Sequence, residues 1–120
     1  MTIKEFDELI LSQVLPEESN YAHYGGIPKD HEKAIGIYKR SSVPVNSYGV
    51  SSYEVLPLVL LVHWTKSYNQ CEMTANRITE ALNRYSFDNG WVQAGPSIDI
   101  GRDDNEYFEQ TIDVTVYVKK

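Results

Sequence analysis

The stretch VLPLVLLVHWTKSYNQCEMTANRITEAL, Val55 to Leu82, changes its period once, and that change decides the fold. From Val55 to Trp64 it is apolar at nearly every position: Leu58, Leu60, Val62 and Trp64 point one way, and Val59, Leu61 and His63 the other. A strand apolar on both faces suits the centre of a sheet, covered on each side by helices or by a neighbouring subunit. Pro57 has no N–H to give a ladder, which places it in the first residues of the strand or at a bulge. From Tyr68 the period becomes helical. Tyr68, Cys71, Ala75, Ile78, Leu82 and Tyr85 recur at three and four as one buried stripe, and Ser67 with Gln70 forms a capping-box signature.

Working outward, the start of the chain predicts a helix. Thr2 and Glu5 stand three apart as a second capping box, Ile3, Phe6, Leu9 or Ile10, and Val14 return at helical spacing, and Pro16 stops the run. PEESNYAHYGGIPKDHE (16 to 32) has no period and reads as a long loop suited to touching a partner. KAIGIYKR (33 to 40) reads as a strand, and SSVPVNSYGVSSYE (41 to 54) as an exposed arm or extended connection.

Beyond the second helix, Asn89-Gly90 marks a turn, and strands follow at SIDI (97 to 100) and YFEQTIDVTVYVKK (107 to 120). In the last strand Ile112, Val114, Val116 and Val118 share one face, with Thr111, Asp113, Thr115 and Tyr117 on the other. GRDDNE between the two strands reads as a hairpin tip. The order helix, strand, strand, helix, strand, strand gives a small single-domain α+β sandwich over residues 1 to 120. Its sheet has about four antiparallel or mixed strands with helices packed on a face.

Composition narrows the function. Seventeen acidic against eleven basic residues give a formal charge of -6, with no basic block to attract nucleic acid or an anionic membrane. The single cysteine excludes an internal disulfide, MTIKEFDELI lacks the charged and apolar segments of a signal peptide, and VLPLVLLV is too short to span a membrane. A soluble protein made inside the cell is the expectation.

No catalytic, cofactor-binding or metal-ligating set emerges from the residues. Cys71 lies on the buried stripe as a small core hydrophobe, and His63 has no third group placed to orient it as a base. His23, His31 and His63 fit no zinc spacing. Asp99, Asp103, Asp104 and Glu106 lack the loop glycine and ligand order of a calcium loop, and YGGIP lacks the lysine of a phosphate loop. Nine tyrosines, two tryptophans and three phenylalanines are many rings for 120 residues, and some must reach the surface, where rings mark protein contacts or cover a sheet.

The sequence resembles the minor capsid and tail terminator proteins of long-tailed bacteriophages and their prophages. The likeness lies in FDELI, in KAIGIYKR, in LLVHWTKSYNQCEMTANRITEAL and in IDIGRDDNEYFEQTIDVTVYVKK, and it spans about residues 1 to 120 as a pattern of spacing. It implies a structural virion protein of the tail or neck, assembled in the bacterial host cytoplasm. Copies would form a ring, commonly a hexamer, that ends polymerisation of the tail tube protein and joins the tail to the head connector or another neck protein. DNA would only pass through the lumen, where Asp103, Asp104 or Glu106 would reduce sticking unless they simply form a solvated tip.

On that reading the segments at 20 to 31 and 41 to 54 supply the contacts. Tyr21, Tyr24, Tyr48 and Tyr53 either face a partner or cover the subunit's own sheet. The alternatives are another head-tail neck protein, a non-catalytic monomeric adaptor and a small enzyme with an unrecognised site.

Overall fold

In the computed structural model, which describes residues 1–28, 31–40 and 53–119, the first helix begins where its capping residues place it. Thr2 Oγ1 accepts from the backbone N–H of Glu5 at 3.1 Å, and Glu5 Oε1 accepts from the N–H of Thr2 at 3.2 Å, so two otherwise orphaned donors are satisfied. Helix α1 (Ile3–Phe6) runs through a π turn (Asp7–Leu11) into α2 (Ser12–Val14). Phe6, Ile10 and its neighbour Leu11 enter the core, all three without solvent exposure, while Leu9 points out. Pro16 ends the run by opening a new short helix, α3 (Pro16–Ser19).

The segment expected to be a loop is therefore partly ordered. After α3 it contains a three-residue strand, β1 (Ala22–Tyr24), which pairs in parallel with β2 (Ala34–Lys39). The expected arm at 41 to 54 falls mostly outside the described residues, but its last two residues open β3 (Tyr53–His63). That strand pairs antiparallel with β2 on one side and with β7 (Phe108–Lys119) on the other. Pro57 sits well inside β3, opposite Thr115, and not at its start or at a bulge. Its carbonyl accepts from the N–H of Arg40 at 3.0 Å, so the missing donor also points toward β2, just past that strand's last residue. The Arg40–Pro57 pair therefore keeps one of the two bonds such a pair can make, and the loss falls at the end of the β2–β3 ladder.

Helix α4 (Tyr68–Leu82) carries the middle of the expected stripe, with Cys71, Ala75, Ile78 and Leu82 fully buried, but Tyr68 at its start is 41% exposed and Tyr85 lies past its end, half-buried. Ser67 caps it by accepting from the N–H of Gln70 at 3.3 Å. The reciprocal half of the capping box is absent. Gln70 Oε1 instead accepts from the Thr65 hydroxyl at 2.9 Å, and Thr65 Oγ1 takes the Ser67 N–H at 3.2 Å.

The sheet has seven strands, not four. Besides β1, two strands escaped the sequence pattern, β4 (Ser86–Phe87) and β5 (Gly90–Ala94), before β6 (Ile98–Arg102) and β7. Strand order is β1-β2-β3-β7-β5-β4, with β6 also on β7. β5 pairs with the second half of β7 and β6 with the first, so the two lie end to end along one edge of β7.

The described helices cover one face of this sheet. Ile35, Ile37, Leu56, Leu58, Leu60, Val62, Val92, Ile112, Val114 and Val116 meet α1, the π turn and α4 in a single core. Burying each such side chain contributes about 1.5–3 kcal/mol against chain entropy. The alternation read in β3 and β7 is present, but the described helices cover only one of the two faces of β3.

Candidate interaction surface

The face away from the described helices is built from the second set of alternating positions. Along β3 it presents Tyr53, Val55, Pro57, Val59 and Leu61, of which Tyr53 is exposed and the other four half-buried. Register carries the face sideways. Val59 stands between Tyr38 and Asp113, Leu61 between Gly36 and Thr111, and Val55 beside Tyr117, which in turn stands beside Trp91. Antiparallel sheets open to water on one side normally turn polar residues outward, so the half-buried outward row of Val, Pro, Val and Leu departs from that pattern and is the candidate contact surface.

Two features organise this face. At one end Trp91 stacks on Tyr117 with centroids 4.8 Å apart and planes 15° apart, and Tyr53 meets Trp91 edge-on at 4.9 Å. Toward the middle, Arg40 lies across the strands. Its Nε donates to the Leu58 carbonyl at 3.0 Å, and its Nη2 donates to the Val114 carbonyl at 3.1 Å and to Thr115 Oγ1 at 2.7 Å. A guanidinium held by three acceptors is fixed in place, with Asp113 4.0 Å away as its exposed counter-charge.

The four tyrosines expected to face a partner have different surroundings. Tyr53 belongs to the aromatic trio on the open face. Tyr21 is half-buried and packs edge-on against Trp64 at 5.4 Å, covering the subunit's own core. Tyr24 is 47% exposed, but its hydroxyl donates to Asp7 Oδ2, a bond that pushes the phenol up to about 12. Tyr48 lies outside the described residues.

Tyr21 and Trp64 also border a cleft of about 560 Å³ between α3, the start of β2 and α4. Glu18, almost wholly buried, meets Arg77 there, and Lys33 holds its ammonium 5.6 Å from the Trp64 ring. Lys33 has φ 52°, a left-handed backbone that side chains adopt at a cost, and its N–H donates to the Trp64 carbonyl at 3.2 Å.

The acidic tip is less uniform than the sequence suggests. Asp103 Oδ1 accepts from the N–H groups of Asn105 and Tyr107, both at 2.9 Å, and so closes the turn. Asp103 Oδ2 faces His63 Nδ1 at 3.6 Å, and Glu109 Oε2 lies 3.0 Å from the same nitrogen. A carboxylate can only accept, so Nδ1 of the buried His63 carries the proton it donates to Glu109. Asp103 is thus a half-buried turn residue, while Asp104 and Glu106 are exposed, Glu106 at φ 69°.

The histidine and cysteine of the strand-to-helix segment do not meet as a reactive pair. Cys71 Sγ points at the Phe108 carbonyl 3.4 Å away, and burial pushes its thiol up to about 11, away from the thiolate. Among the described residues no group of three His, Cys, Asp or Glu side chains could hold a metal ion. No described helix is long and apolar enough to cross a membrane. No family model and no curated protein matches the sequence.

Proposed function

We propose that the chain is a ring-forming structural subunit of a phage tail or neck, which ends the tail tube and takes part in joining it to the head. The observation that carries this reading is the apolar outer row Val55, Pro57, Val59 and Leu61 with the trio Tyr53, Trp91 and Tyr117, on a sheet whose described helices lie on the opposite face. A domain so built has a second layer to gain from another chain. The resemblance in spacing to tail terminators supports the same role, and the acidic balance suits a subunit past which DNA must slide without binding.

In this reading the mechanism is geometric. The ring covers the exposed edges of the last tube layer with one side and presents a different side to the connector, and the open sheet face is one of these two partner surfaces. The first test is the mass of the purified protein by light scattering across concentration and salt, followed by binding to preformed tail tubes. A discrete species near six copies of the 13.7 kDa chain, or a monomer that binds tube ends and halts their growth, is the expected result. A monomer at every concentration that leaves tube growth unchanged sinks the reading in favour of an adaptor.

A further inference from the structure

The two outer edges of the sheet stand at one level. Following the pairing across the molecule, His23 of β1 registers with Gly36, Gly36 with Leu61, Leu61 with Thr111, and Thr111 with Ile98 of β6. The neighbouring row runs from Ala22 through Ile35, Val62 and Gln110 to Asp99. Among the described residues no strand pairs with the far side of β1 or of β6.

The rest of the β5–β6 edge is closed, which sets β6 apart. The Val92 N–H donates to the Tyr85 carbonyl at 2.8 Å, and the Val92 carbonyl accepts from Arg84 at 2.9 Å. The Ala94 N–H donates to Asn83 Oδ1 at 3.2 Å, and the Gly95 carbonyl accepts from Thr79 Oγ1 at 3.1 Å. Past Ser97, whose hydroxyl donates to Asn76 Oδ1 at 3.2 Å, this cover stops. β6 then presents Ile98 and Ile100, 56% and 52% exposed, beside a bulge at Asp99/Gly101. Exposed apolar side chains on an unpaired edge are what protein surfaces normally avoid, and they are a template for strand addition.

We propose that β6 of one copy pairs with β1 of the next, so that copies of this chain join head to tail through their sheets. Strand polarity favours this occupant. β1 runs parallel to β2, β2 opposite to β3, β3 opposite to β7, and β7 opposite to β6, so β1 and β6 run in opposite directions. A neighbour in the same orientation therefore offers β1 antiparallel to β6, with the two edges at matching height. A contact between two different surfaces repeats from copy to copy and closes when the turn between copies divides the circle. The inference rests on the ring reading and supplies its subunit joint.

A pair of cysteines tests it. In an antiparallel ladder, residues directly opposite have Cα atoms about 4.5–5.5 Å apart, within the reach of a disulfide. His23→Cys combined with Ile98→Cys puts thiols on the matching row, and the buried native Cys71 stays silent. On oxidation of the assembled protein, the double variant is expected to give a ladder of covalent species on a non-reducing gel, with neither single variant doing so. Rings without a ladder overturn the β1–β6 joint and leave the ring itself standing. Covalent dimers from Ile98→Cys alone overturn it in favour of a two-fold β6–β6 contact. A wild-type protein that never forms a ring removes the joint and the ring together.

Discussion

Cys71 shows how a chemically suggestive residue can be fully occupied by structure. Its thiol is buried beneath α4, against the carbonyls of Phe108 and Val62, and an ordinary value of 9.0 rises to about 11 because burial disfavours the thiolate. In the unfolded chain the thiol loses its proton first, so between pH 9 and 11 the unfolded state binds fewer protons and stability falls as pH rises. Urea midpoints at pH 8 and pH 10.5 should drop further for the wild type than for Cys71→Ala. Equal drops in both proteins would show that the thiol is not held in that environment. His63 is a parallel case: the sequence offered no group to orient it, yet Glu109 and Asp103 both reach it because β6 and β7 fold back against the end of β3. Those partners lie 46 and 40 residues away along the chain, beyond any local spacing rule.

At the scale of elements, the periodic pieces were legible and the short ones were not. The stripe of α4 and the alternations of β3 and β7 were readable because each repeats its period over three or more turns or pairs. β1, β4 and β5 are three, two and five residues long, too short for a period, and exist because a longer neighbour supplies their partners. Gly90 shows the constraint. It opens β5 opposite Val118, and a Cβ there would fall onto the Tyr117 carbonyl. Gly90→Ala should therefore cost about 2–3 kcal/mol by forcing β5 away from β7. Guanidinium unfolding measures it, and a variant as stable as the wild type would mean that the β4–β5 hairpin is free to shift. The π turn was invisible for a different reason: Phe6, Ile10 and Leu11 also fit the buried stripe of a regular helix, so the burial pattern does not distinguish the two.

For the whole molecule, the sequence correctly marked β3 as apolar on both sides, while which side its own helices would take was decided by tertiary packing. Of the expected contact tyrosines among the described residues, Tyr53 lies on the open face while Tyr21 and Tyr24 are engaged elsewhere, because position along the chain does not reveal which hydroxyl or ring a distant residue will engage. Val59→Glu places a charge in the middle of the half-buried outer row without entering the helix-covered core. The variant should keep its circular dichroism spectrum and lose binding to tail tubes or connectors by about tenfold or more. Loss of the fold itself would show that the row is sealed within the subunit, and unchanged binding to both partners would remove the face from the interface.

The position of β7 in the sheet has a further consequence, for the timing of synthesis. This strand is bonded to β3 along its length and to β5 and β6 on its other side, yet it spans Phe108–Lys119 and is translated after every other described element. β3 must therefore wait for a partner made some fifty residues later, and the sheet closes only after residue 119 has left the ribosome. Until then the row Leu56, Leu58, Leu60 and Val62 lacks its neighbours, and the nascent chain is at its most vulnerable to aggregation. If copies assemble as proposed above, a sheet that closes late keeps half-built edges from meeting, so copies would join only after each is complete.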